Sequence, residues 1–393
     1  MSIIHSVVNR TLKKNKRVYD PKNPMDYPAA RATEVEQNKG VKIPKAVKIE
    51  ENTLGGVPVE WLTASNNPTD RIVMYIHGGA FVVGSVKTRR AFTTYIAETL
   101  GYNVAAVEYR LAPESPFPAA PEDCFAVYKA LLGSYNAERI VIVGESAGAN
   151  LVLATLLQIK AAELPQPAAA MCLTPCVQYD AVLPSYRENA EKDAIVANHV
   201  EEILTMYFQS HDEQQIKNPL FAPYYGDFAG CAPIYLWASN AEILRDDSVK
   251  MYEKLRKENH PCNLYLRNGM MHTWMIIPFF PEAKKDLTRM KKHIENAFAG
   301  RFEQEEHVVY VVCIIRQILI PIGSILLLYL FPADFNLKQV LLIAAACPVG
   351  ANVAVYAQLY DKDYAYAGKI VVLSTLLAVL TMPIMIAAGS AQF

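Results

Sequence analysis

Up to about residue 300, apolar positions come in short runs broken by charges and turn residues. Six of those runs read as strands: "RIVMYIHGG", "NVAAVEYR", "RIVIVGES", "AAMCLTP", "PIYLWASN" and "CNLYLRN". Residues 90–100 and 123–132 lie between some of them and show helical spacing. Strand and helix in alternation predict an α/β fold, a mostly parallel sheet covered by helices on both faces. Residues 1–50 and roughly 180–225 break that rhythm. They predict helical additions, which in such folds cover the site at the strand ends.

Hydropathy changes sharply near residue 307. Three long apolar runs follow, at 308–331, 337–359 and 370–388. Each has about the length needed to cross a ~30 Å hydrocarbon core, which predicts three transmembrane helices. The third run holds no charge and the second only Lys338 at its edge. The first carries Arg316, which is costly against lipid and is expected to face a partner helix or a polar cavity. Lys284, Lys285, Arg289, Lys291, Lys292 and Arg301 precede the first run, while the next connection is "PADFN" with Lys338. That bias predicts a cytoplasmic soluble part and an external C-terminus. The expected organisation is an N-terminal helical cap over 1–50, an α/β domain over 51–300, a linker at 301–307 and a membrane segment at 308–393.

The N-terminal stretch "MSIIHSVVNRTLKKNKRVYD" has no signal-peptide pattern, since its charges follow the apolar residues and no small-residue cleavage site appears. Ile3, Ile4, Val7, Val8 and Leu12 fall near helical spacing, with Lys13, Lys14, Lys16 and Arg17 just after. Two readings stand: a helix packed on the protein, and a helix lying on a membrane surface.

Charge alters the picture little. A net charge of −1 with interspersed signs gives no basic face for a nucleic acid. The seven cysteines form no CxxC pair, so free thiols are expected and no metal site.

Chemistry gathers at "RIVIVGESAGANLVLATLL", where a strand pattern meets a helix pattern at Gly-Glu-Ser-Ala-Gly. Gly-x-Ser-x-Gly alone is weak, but a strand–turn–helix context gives it meaning. Gly144 and Gly148 leave room for neighbouring elements, so Ser146 can point into a cleft at a helix N-terminus. A serine hydroxyl needs a base to take its proton. His272 follows the last strand pattern and a Gly turn, whereas His5, His199, His211, His260, His293 and His307 read as exposed. A carboxylate must orient that imidazole. "LWASNAEILRDDS" offers Glu242 first past the strand, with Asp246 as the alternative and Asp247 beside it as a helix cap. An oxyanion needs amide donors, and Gly78, Gly79 and Ala147 are the expected three. His77 reads as a structural support of that glycine loop.

"HGGAF", "YRLAPESPFPAAPED", "GESAG" and "GMMHTW" occur in that order. Together they resemble the hormone-sensitive lipase family of α/β-hydrolases across residues 50–300. The resemblance implies a serine esterase acting on a small-molecule ester, with no cofactor. Ser146, Glu242 and His272 match its triad positions, and Gly78, Gly79 and Ala147 its oxyanion donors. "SYRENAEKD" and "NPLFAPYYGD" look like its helical cap. Glu242 departs from the Asp found in many relatives. The tail, "CPVGANVAVYAQLYDKDYAYAGKIVVLSTLLAVLTMPI", resembles the last three helices of the auxin efflux carrier family. Pro348 and Gly350 break its middle run, and Asn352 matches a possible ligand contact of that family. Such a partial repeat is not expected to transport. It is expected to anchor the chain in the membrane, or to meet a membrane-protein partner or a second copy. The leading expectation is a triad esterase for small to medium acyl esters. The alternatives are a non-catalytic ligand-binding α/β-hydrolase module, and a hydrolase fused to a partial transporter.

Overall fold

The computed structural model describes residues 2–14, 16, 19–67, 70–180, 182–196, 199–303, 312–330, 332–350, 353 and 364–391. The chain divides into two compact units, Met1–Gln304 and Glu305–Phe393.

The first unit is built on an eight-stranded sheet. Its strands are β1 (Val47–Leu54), β2 (Val57–Ala64), β3 (Ile72–Ile76), β4 (Asn103–Val107), β5 (Ile140–Glu145), β6 (Ala169–Leu173), β7 (Ile234–Ser239) and β8 (Cys262–Arg267). They lie in the order β1-β2-β4-β3-β5-β6-β7-β8, parallel from β4 onward. Every residue of β3, β4 and β6 is buried, as expected where helices cover both faces. Alternate residues feed opposite cores. Ile72, Met74 and Ile76 pack with α4 (Ala119–Leu131), α5 (Ala147–Ala161) and α9 (Arg245–Lys257). Val73 and Tyr75 pack with α3 (Arg90–Tyr95) and α10 (Pro281–Phe298).

The six expected strands are β3 to β8. The β1–β2 hairpin was not expected, and β1 starts inside the segment read as helical cap. β1 is an edge strand in which only Val47 is fully buried, so its pattern is largely polar. A hairpin signal was nevertheless present, because Gly55 and Gly56 (φ +59° and +84°) supply the two left-handed residues of a tight turn. The rest of the N-terminal segment is helical, as α1 (Ile3–Lys14) and α2 (Tyr27–Asn38). The 180–225 insertion forms the short helices α6 (Pro184–Glu188), α7 (His199–Glu202) and α8 (Glu213–Ile216).

In the second unit, α11 (Val312–Leu330) and the Ile370–Ser390 part of α13 (Tyr364–Ser390) are long and apolar enough to span a bilayer. Two of the three expected spans are thus found among the described residues. The middle run is helical over α12 (Phe335–Ala346), 12 residues, and its described part ends in the non-helical stretch that holds Pro348, which lacks an amide hydrogen. Residues 308–311, 331, 351–352 and 354–359 of the expected spans, with Asn352, lie outside the described residues, as do 304–307 of the expected linker. Arg316 sits half-buried in α11.

Candidate active site

Sheet register sets the site. Ile76 of β3 pairs with Gly144 of β5, so the loop beginning at His77 and the turn at Ser146 emerge side by side. The ends of β7 and β8 carry the loops with Glu242 and His272. Four loops thus converge at one edge of the sheet, the carboxyl end of its parallel strands.

Ser146 occupies a backbone conformation that side-chain-bearing residues rarely adopt (φ 56°, ψ −121°). Its N–H donates to Leu173 O at 2.8 Å, which ties the turn to β6. The two flanking glycines are required by close approach. A Cβ on Gly148 would lie 2.2 Å from Ile76 O, and one on Gly144 would lie 2.5 Å from Gly148 O. The serine is partly exposed while its neighbours Glu145 and Ala147 are buried.

The Ser146 hydroxyl lies 2.9 Å from His272 Nε2, and His272 Nδ1 lies 2.6 Å from Glu242 Oε2. His272 is 3% exposed and Glu242 fully buried. The second carboxylate oxygen, Glu242 Oε1, accepts the Ser239 N–H at 2.7 Å. Ser239 Oγ donates to Met270 O at 2.6 Å, so one residue braces both loops. Burial pulls the imidazole pKa down. The hydrogen bond and charge of Glu242 outweigh it, and the net value lies above the ordinary 6.5 of histidine. Burial likewise pushes the Glu242 carboxyl up, while His272 and the Ser239 amide pull it back.

Asp246 and Asp247 do other work. Asp246 pairs with Arg245 at 2.7 Å and accepts the Ser185 N–H at 2.8 Å. Asp247 accepts the Val177 N–H and the Tyr186 hydroxyl, and burial pushes its pKa up to about 7. His77 is fully buried, stacked on Tyr109 with ring centroids 4.3 Å apart. Burial lowers its pKa to about 3, so it is neutral, and its Nδ1 lies 2.9 Å from Gly78 O.

The expectation for Gly78 needs correction. Its N–H donates to Glu145 Oε1 at 2.7 Å and is committed inside the protein. The amides of Gly79, Ala80 and Ala147 have no such engagement among the described residues. Gly79, Ala80 and Phe81 follow one another with φ of 129°, 53° and 64°, a left-handed run that re-aims successive amides. The Ala80 amide, next in the same run, is thus left unengaged beside those of Gly79 and Ala147 among the described residues. Glu145, the variable residue of the Gly-x-Ser-x-Gly turn, was also missed. Its buried carboxylate takes the Gly78 N–H, the Tyr75 hydroxyl at 2.6 Å and Arg89 Nε at 2.8 Å. Motif spacing cannot reveal such a contact. An acid directly beside a buried strand was the available hint, because a charge there needs partners.

Residues of the 180–225 insertion reach the acid loop as well. Asn189 Nδ2 donates to the carbonyls of Asn240 and Glu242, both at 2.9 Å. Ser185 Oγ donates to Ile243 O at 2.5 Å, and Asp193 Oδ2 accepts the Ile243 N–H at 2.9 Å. Of the histidines read as exposed, His5, His260 and His293 are buried, His211 is exposed and His307 lies outside the described residues. Burial removes their apparent polarity from view: His5 and His293 sit on amphipathic helices, where sequence context shows both faces at once.

Comparison with known proteins points to the same fold. A family described as alpha/beta hydrolase fold matches residues 73–276, and one described as membrane transport protein matches 289–386. An esterase of Acinetobacter venetianus is 33% identical over 243 residues, covering 61% of this chain and 80% of that protein. An acetyl-hydrolase of Streptomyces hygroscopicus is 30% identical over 236 residues, covering 59% and 78%. Among solved structures, an esterase from the bacterial hormone-sensitive lipase family superposes with a TM-score of 0.70 at 29% identity, covering 76% of this chain and 99% of that one. The esterase EstE5, soaked with p-nitrophenyl butyrate, gives 0.70 at 27% identity over 76% and 100%. With the strand order, the Ser146 turn and these matches in agreement, the chain belongs to the hormone-sensitive lipase family of α/β-hydrolases and ends in a segment of the auxin efflux carrier family of membrane transport proteins.

Proposed function

We propose that this chain is a membrane-attached serine carboxylesterase using Ser146, His272 and Glu242. The observation that carries the reading is the unbroken chain of contacts from Ser146 Oγ to His272 Nε2 (2.9 Å) and from His272 Nδ1 to Glu242 Oε2 (2.6 Å). Neutral His272 accepts the hydroxyl proton at Nε2 as Oγ attacks the ester carbonyl. The Glu242 carboxylate holds the ring through its Nδ1–H and stabilises the imidazolium that forms. The tetrahedral oxyanion rests on the amides of Gly79, Ala80 and Ala147. His272 then returns its proton to the departing alcohol. The acyl group stays on Ser146 until a water, deprotonated by the same nitrogen, releases the carboxylic acid.

Small to medium acyl groups are favoured, in keeping with the acetyl-hydrolase relative and with the p-nitrophenyl butyrate soaked into EstE5. The domain reading is a cap from the N-terminal helices and the 180–225 insertion, a hydrolase body to about residue 300, a short linker, and a tail that anchors the chain. The basic residues ahead of the first span favour a hydrolase on the cytoplasmic side. The test is hydrolysis of p-nitrophenyl acetate, butyrate and longer esters by the wild type and by Ser146→Ala. Turnover by the wild type alone is expected; equal rates would overturn the reading.

A further inference from the structure

Helix α1 has two unlike faces. The inner one is held by the protein: His5 is fully buried, its Nε2 accepts the Met271 N–H at 3.1 Å, and its ring meets the edge of Phe280 at 5.3 Å. Ser2 Oγ donates to Glu282 at 2.9 Å, and Val8 and Leu12 pack on the core. These contacts fix which face points outward. On that outer face Ile3, Ile4 and Val7 are 84%, 51% and 59% exposed. Phe279, next to the Phe280 ring that His5 touches, is 60% exposed. Beyond the apolar turns the exposed face becomes cationic, with Arg10, Lys13 and Lys14, and the helix carries no acidic residue.

An apolar patch of this kind on a helix that already buries its other face has no use in folding the unit. Apolar residues in one half and cations in the other suit a surface with a hydrocarbon layer under anionic headgroups. The tail supplies the tether. Residues matching a membrane transport protein keep the hydrolase beside a bilayer, so a weak second contact is made at high local concentration.

We propose that the outer face of α1 docks on an anionic bilayer surface, with Ile3, Ile4 and Val7 at the acyl boundary and Arg10, Lys13 and Lys14 on lipid headgroups. The inference does not depend on the chemistry of Ser146.

The test uses the full chain in nanodiscs of phosphatidylcholine, with or without a minority of phosphatidylglycerol, and acyl chains brominated in both. Val7→Trp adds a reporter whose quenching is measured against the wild-type background of Trp61, Trp237 and Trp274. Strong quenching that requires the anionic lipid is expected. Adding Arg10→Glu, Lys13→Glu and Lys14→Glu to the reporter chain is expected to lower the docked-to-undocked ratio roughly a hundredfold, at about fivefold or more per cation. An unchanged thermal midpoint shows that this variant is folded. No added quenching in either disc overturns the proposal, as does equal quenching in both. A reporter buried only in discs holding two copies overturns it too, since the occupant is then a second chain. Loss of ester hydrolysis with quenching intact would count against the triad and leave the docking standing.

Discussion

Two helices of this chain are both rich in apolar residues and differ in what surrounds them. α5 runs 15 residues behind Ser146, and 12 of those residues are buried, packed between β-strands and α4. In the Ile370–Ser390 stretch of α13 only 11% of the apolar window is buried, and Val372, Leu376, Val379, Leu380 and Ile384 are each more than 60% exposed. Composition does not fully separate the two, although α5 holds Asn150, Gln158 and Lys160 and the α13 stretch holds no charge. Length does: 15 residues rise about 22 Å, short of a ~30 Å hydrocarbon core, while 21 residues rise about 31 Å. For α5 the apolar solvent is the protein itself, and for α13 it must be lipid. The comparison teaches that the hydrolase body and the helices able to span a bilayer reside in separate units.

The largest effect that would sharpen this division is Ser146→Ala. It should lower kcat on the order of 10⁶-fold and leave the share of protein recovered with membranes unchanged. A chain ending at Gln304 should do the reverse, keeping kcat/KM while leaving the membrane fraction; loss of activity on truncation would break the comparison. Next comes Glu242→Gln, expected to cost on the order of 10⁴ in kcat by losing the acceptor that fixes the imidazole. The pH profile adds a sign. In the proposed mechanism neutral His272 is the active form, and its pKa lies above 6.5, so the rate is expected to fall as pH drops through that raised value. In Glu242→Gln the raising charge is gone and burial remains, so the acid limb must move to lower pH. A limb that stays in place would remove Glu242 from the mechanism. Leu153→Ala, at a fully buried position of α5, should destabilise the hydrolase unit by about 2–5 kcal/mol in thermal unfolding. The smallest effect belongs to Leu380→Ala. That side chain is 68% exposed and has no protein cavity to leave behind, so the shift should stay within about 0.5 kcal/mol.

What could be read from the residues follows the same physics. The strands β3 to β8 announce themselves because both faces are covered and their runs are nearly continuous. β1 hides because an edge strand is mostly polar. That Ser146, Glu242 and His272 come together was legible as a set of motifs in order. Gly78 was chosen as an oxyanion donor because glycine pairs suggest free amides. Whether an amide is free depends on what opposes it, and here Glu145, 67 positions away in the chain, does. Asn189 and Asp193 escaped for the same reason. Their partners are carbonyls and amides of the acid loop, and a main-chain partner leaves no trace in residue identity. In the tail, hydropathy marked the apolar runs, and Pro348, which lacks an amide hydrogen, marked where the middle one leaves the helix.

The contact between Gly148 and the carbonyls of Ile76 and His77 leaves no room for even one methyl group. The seat of Ser146 is thus framed by peptide backbone on either side, a mould that side-chain exchange cannot widen or narrow. A breeder of new specificities should leave that floor alone.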